Sequence, residues 1–113
     1  MIKMTLSKVL EYPEGIDQVA FNASVSDGKV LIDVYTDWCG PCKRVKPIFK
    51  ELSQEFPDVK FLSLDLDNAR WIGERFEIHA IPTFLFFKDG QMIYKHLGAM
   101  GKDGFIRLIE AKF

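Results

Sequence analysis

A chain of 113 residues, 48% hydrophobic and 27% charged, is long enough to bury one core and too ordinary in its usage for a disordered or fibrous polymer. A formal net charge of −1 supplies no global attraction to nucleic acid or to an anionic membrane surface, so neither is expected as a partner. Two cysteines cannot build the multi-bridge framework of small secreted domains, and such a pair is expected to have a chemical job.

Residues 1–7 lack the apolar core and small-residue cleavage site of a secretory signal, and no apolar run reaches the length of a membrane span. A cytoplasmic location is the expectation. Gly and Pro punctuate the chain singly, without repeats, low-complexity tracts or linkers, so residues 1–113 are expected to form a single domain.

In chain order, residues 5–10 predict a short strand, broken at Tyr12-Pro13-Glu14-Gly15; Ile16, Val19, Ala20 and Ala23 then suggest one helical face. After the Asp27-Gly28 turn, residues 30–35 form a nearly continuous apolar, β-branched run, as in a strand buried on both faces; Asp33 is its one charge. Residues 41–56 carry Val45, Ile48, Phe49, Leu52 and Phe56 at helical spacing, with Lys43, Arg44, Lys46, Lys50 and Glu51 around the rest of the wheel. Pro47 removes one hydrogen bond inside this helix and predicts a bend.

Residues 60–65 predict another buried strand and 69–76 a short helix. Residues 83–88 and 91–97 read as two strands joined at Asp89-Gly90, a strong hairpin signal. A last helix over 102–112 buries Phe105, Leu108 and Ile109. The order β-α-β-α-β-α-β-β-α predicts an α/β fold in which four helices flank a central, mixed five-stranded sheet. Strands separated by helices are expected to pair in parallel, and the final hairpin to add an antiparallel pair.

The chemistry gathers at Trp38-Cys39-Gly40-Pro41-Cys42, where a buried strand gives way to a helix. There Cys39 meets free backbone N–H groups and the positive end of the helix dipole, both of which favour a thiolate. Lys43, Arg44 and Lys46 add a smaller, screened potential and are read mainly as a solvated helix face. Gly40 permits close approach of another backbone, and Pro41 supplies the φ favoured at a helix start. Cys39 is the expected attacking sulfur of a thiol–disulfide exchange and Cys42 the resolving one. Asp33, inside the sheet and deprived of water, is expected to have a raised pKa and to serve as the base that deprotonates Cys42.

Read together, residues 33–43, Ile81-Pro82-Thr83 and Gly98-Ala99 resemble the thioredoxin family over nearly the whole chain. The resemblance implies a thioredoxin fold and a protein-disulfide reductase, with a Cys39–Cys42 disulfide as product. No bound cofactor is implied, since a thioredoxin reductase, drawing on NADPH, re-reduces the pair. It implies a cis Pro82 beside the sulfurs, with Ile81 offering its backbone to a substrate strand. Trp38, Gly40, Pro41, Ile81, Pro82, Gly98 and Ala99 then form the substrate-docking surface, and Asp67 accepts a hydrogen bond from the Trp38 indole. The implied partners are the reductase and disulfide-containing target proteins, and the implied state is a monomer.

Two departures stand out. Many bacterial members pair the buried acid with a lysine on the third strand, where this chain has Ser63, so Asp33 is expected to titrate higher still. Residues 11–27 follow the family least.

A zinc site would want four ligands, and the spacing of His79 and His96 does not supply the second pair; no metal is expected. His79, three residues before Pro82, reads as a solvent-exposed loop residue bordering the docking surface. A binding module whose redox turnover is secondary is a second functional reading. A disulfide oxidase or isomerase is disfavoured because Gly-Pro, with no His, separates the cysteines.

Overall fold

In a computed structural model, which describes residues 8–113, five strands form one sheet in the order β1-β3-β2-β4-β5. The elements run β1 (Val9–Tyr12), α1 (Gln18–Val25), β2 (Lys29–Tyr35), α2 (Gly40–Glu55), β3 (Val59–Asp65), a 3-10 turn (Leu66–Asn68), α3 (Arg70–Arg75), β4 (Thr83–Lys88), β5 (Gln91–Leu97) and α4 (Lys102–Lys112). The expected first strand lies partly outside the described residues, over 5–7; its described part continues to Tyr12. Strand β3 pairs in parallel with β1 and β2, whereas β4 is antiparallel to both β2 and β5.

The antiparallel β2–β4 pair departs from the rule that helix-separated strands run parallel. The chain enters β4 near the end where it left β3: Val34 pairs with both Leu64 and Thr83.

Because side chains alternate along a strand, β2 feeds two cores. Val30, Ile32 and Val34 pack with Phe21 and Val25 of α1 and Ile72 of α3. Leu31 packs on the opposite face with Val45, Phe49 and Leu52 of α2 and Phe105 and Ile109 of α4. Edge-to-face rings knit each core: Phe21 lies 5.3 Å from Trp71 and 5.7 Å from Phe87, while Phe49 lies 5.0 Å from Phe61 and Phe84 lies 4.8 Å from Phe105.

Helix α1 turns a different face to the sheet than its aliphatic spacing suggests. Phe21 and Val25 are buried, Ala20 and Ala23 are exposed, and Val19 is 81% exposed. One phenylalanine ring locked among three others outweighs three small side chains in buried area, and it sets the rotation of the helix. Asp17 caps the helix, its Oδ1 accepting from the Ala20 N–H at 2.8 Å.

Helix α2 continues unbroken through Pro47. The β4–β5 hairpin turns at Asp89 and Gly90, with φ of 49° and 86°, the two positive angles of a type I′ turn. Among the described residues no helix is long and apolar enough to cross a membrane.

Candidate active site

Strand β2 ends at Tyr35 and the chain turns over Thr36-Asp37-Trp38, where the Cys39 N–H donates to the Thr36 carbonyl at 3.3 Å. Cys39 is the N-cap of α2, in extended conformation, and its Sγ accepts a hydrogen bond from the Cys42 N–H at 3.2 Å. This bond brings an otherwise unpaired donor of the first helical turn to sulfur, the interaction that lowers the cost of a thiolate there. Cys39 and Cys42 are joined in a disulfide, with Cα atoms 5.3 Å apart. Both are buried, whereas Gly40 and Pro41 between them are exposed.

Around the disulfide, Trp38 stands 72% exposed, its indole Nε1–H donating to Asp67 Oδ2 at 2.9 Å. The Ile81–Pro82 peptide is cis and leads directly into β4. Pro82 is buried, Ile81 and Gly98 are half-buried and Ala99 is exposed. The Gly98 N–H donates to the Pro82 carbonyl at 2.8 Å, tying the end of β5 to the start of β4. Gly98 adopts φ of 92°, a conformation that favours glycine.

Two recesses border this surface. Trp38, Asp67, His79 and Ile81 line one; Arg44, Ile48, Ala99 and Met100 line the other. His79 is exposed at the rim of the first, while His96 lies on β5 beside Phe84. No group of three or more His, Cys, Asp or Glu residues able to hold a metal ion occurs among the described residues.

Beneath α2 lies a cavity of about 100 Å³ lined by Asp33, Tyr35, Thr36, Asp37, Cys42, Lys43, Lys46 and Ser63. Asp33 is 3% exposed, and its Oδ1 has no hydrogen-bond partner among the described residues; the same holds for the buried Thr36 Oγ1. Desolvation pushes the Asp33 carboxyl up to about 7, against the opposing attraction of Lys46. Ser63, directly across from Asp33 on β3, offers a hydroxyl and no charge. Burial, followed by the carboxylates of Asp65, Asp37, Glu11 and Asp33, pushes the Tyr35 phenol up to about 12.

Sequence reasoning did not bring Thr36 and Lys46 to this cavity, or Glu11 to Lys46. Thr36 gave no signal. Lys46 follows Cys42 by four residues and so shares its helical face, a spacing that could have found it. Glu11, whose Oε1 lies 4.0 Å from Lys46 Nζ, could not be placed without the β1–β3 register.

The thioredoxin family model matches residues 14–111. A thioredoxin of Chlamydia trachomatis is 38% identical over 94 residues, covering 83% of this chain and 92% of that protein. A thioredoxin of Mycoplasmoides gallisepticum is 43% identical over 82 residues, covering 73% and 82%. The oxidised crystal structure of mitochondrial thioredoxin 3 from Saccharomyces cerevisiae superposes with a TM-score of 0.81 at 34% identity, covering 91% of this chain and 94% of that one. With matches of this extent, and a cysteine pair closed at the head of α2, the chain belongs to the thioredoxin family and is a dithiol–disulfide oxidoreductase that reduces protein disulfides.

Proposed function

We propose that residues 1–113 act as one thioredoxin domain in which Cys39 attacks, Cys42 resolves and Asp33 takes the proton that Cys42 must lose. In the first step the Cys39 thiolate attacks one sulfur of a target disulfide; that bond breaks, one target thiolate leaves, and a Cys39–target mixed disulfide forms. In the second step Cys42 gives its proton to Asp33 through water, for which the shared cavity has room, and attacks Cys39 Sγ. The second target sulfur leaves as a thiolate and takes a proton from solvent. The target gains two electrons and the Cys39–Cys42 disulfide remains.

The observation that carries this reading is the placement of buried Asp33 and Cys42 on one cavity, Cys42 being bonded to the sulfur that caps α2. Target binding follows the exposed collar: Trp38, Gly40, Pro41 and Ala99 are open, Ile81 and Gly98 partly so, and buried Pro82 supports them. Asp67 holds the Trp38 ring by its hydrogen bond. The protein works as a cytoplasmic monomer in electron transport to disulfide-containing targets. A thioredoxin reductase using NADPH re-reduces it, and the cycle serves cell redox homeostasis.

Insulin reduction with dithiothreitol tests the assignment. The wild type accelerates precipitation of the insulin B chain and Cys39→Ser does not, while pre-reduced Cys42→Ser, mixed with insulin after dithiothreitol is removed, accumulates a covalent adduct with its target. Activity retained by Cys39→Ser, or no adduct with Cys42→Ser, overturns it.

A further inference from the structure

The floor beneath α2 carries a polar row at the level of Asp33. In β1, β3 and β2 the register aligns Glu11 with Ser63 and Ser63 with Asp33, so these side chains form a row on the face that α2 covers. Lys46 overhangs that row. One helical turn after Cys42, it lines the same cavity as Cys42 and Asp33, and its ammonium reaches out to Glu11. Its side chain is 57% exposed and that of Glu11 47%, which places the pair at the cavity mouth.

The other groups around Asp33 are weaker candidates for controlling its charge. From β2 and the loop after it come Tyr35, a neutral phenol, and Asp37, an anion; β3 supplies uncharged Ser63 and β4 the paired, apolar Phe84. Lys43, also on α2, lines the cavity, but Lys46 is the cation whose field opposes the burial of Asp33.

We propose that Lys46 is a positioning residue for the second exchange step, held by Glu11 at the cavity mouth so that its ammonium keeps the Asp33 carboxylate charged and ready for the Cys42 proton. This rests on the assignment of Asp33 as base. Lys46 thus serves two carboxylates, one solvated and one buried. Its attraction to the buried one is the stronger per unit distance, because less water screens it. The Glu11 contact draws the ammonium outward and sets how much of that attraction Asp33 receives.

The experiment follows single-turnover release of thionitrobenzoate from Ellman's reagent by the reduced protein as a function of pH. The first equivalent reports attack by Cys39 and the second reports resolution by Cys42. In the wild type the second phase has its midpoint near the Asp33 value of about 7. Lys46→Met moves that midpoint up by about half a pH unit, a value reduced for solvent exposure. Lys46→Arg restores it, and Lys50→Met, which removes a charge from the same helix away from the cavity, leaves it in place. Glu11→Gln moves the midpoint down, and this effect disappears in the Lys46→Met background.

NMR titration of the Asp33 carboxyl in the oxidised protein gives the same ordering without turnover. An unmoved midpoint in Lys46→Met, with Asp33→Asn slowing the second phase, overturns the role of Lys46 alone. A second phase in Asp33→Asn that superimposes on the wild type overturns the base assignment beneath it.

Discussion

Two rows of side chains lie side by side beneath α2 and differ in what they do for the protein. Val9, Phe61, Leu31 and Phe86 form one row by register; Glu11, Ser63, Asp33 and Phe84 form the next, two residues along each parallel strand. The first is sealed by Phe49, whose ring meets Phe61 edge-on at 5.0 Å. The second is roofed by the turn carrying Cys42 and Lys46 and keeps a cavity where Asp33 Oδ1 has no hydrogen-bond partner among the described residues. Backbone and depth are nearly the same, so the contrast is chemical. One row gains stability from close packing, and the other gives up stability to hold an ionisable group out of water.

The largest effect comes from breaking the apolar row. Phe61→Ala removes a ring that is 1% exposed and should cost about 3–5 kcal/mol in urea unfolding, at every pH. A cost below about 1 kcal/mol would show that this row does not anchor α2 to the sheet.

Asp33→Asn acts on the polar row with the opposite sign. The native carboxyl titrates near 7 and the unfolded one near 3.8, so between those values the native state holds a proton that the unfolded state has lost. Stability therefore falls as pH rises through that window, and the full penalty of about 4 kcal/mol is present above it. Asparagine removes the titration. The variant should unfold at higher urea than the wild type at pH 8 and approach it below about pH 4, while resolving mixed disulfides more slowly at neutral pH. Parallel stability curves for the two proteins across this range would mean that burial does not raise the Asp33 pKa.

A smaller change on the other face sharpens the contrast. Asp17→Ala deletes the cap of α1 and should cost about 1 kcal/mol, measured by thermal unfolding. It should leave the pH dependence of the second exchange step untouched, because α1 packs across the sheet from the cavity. A shifted midpoint would show that the two faces are coupled.

Much of the fold was legible because its signals are local. The continuous apolar run of β2, the stripe of α2, and the Asp89-Gly90 turn each specify an element without reference to the rest of the chain. The cysteine pair at a strand-to-helix junction was legible for the same reason, as was the burial of Asp33, since Val34 and Tyr35 extend its strand beyond it. The rotation of α1 was not legible: Phe21 chose it through Trp71, Phe76 and Phe87, which lie 50 or more residues away.

The direction of β4 was likewise not legible, because pairing with β2 and β5 sets it and no local signal does. The alignment of Glu11, Ser63 and Asp33 under Lys46 joins four elements, and only strand register and helix packing could bring them together. By itself the sequence determined which residues carry the exchange chemistry, because that chemistry is written in four consecutive positions from Cys39 to Cys42. Only the tertiary structure decided the electrostatic surroundings of Asp33, because desolvation and Coulomb attraction depend on distances through space, which residues far apart in the chain set jointly.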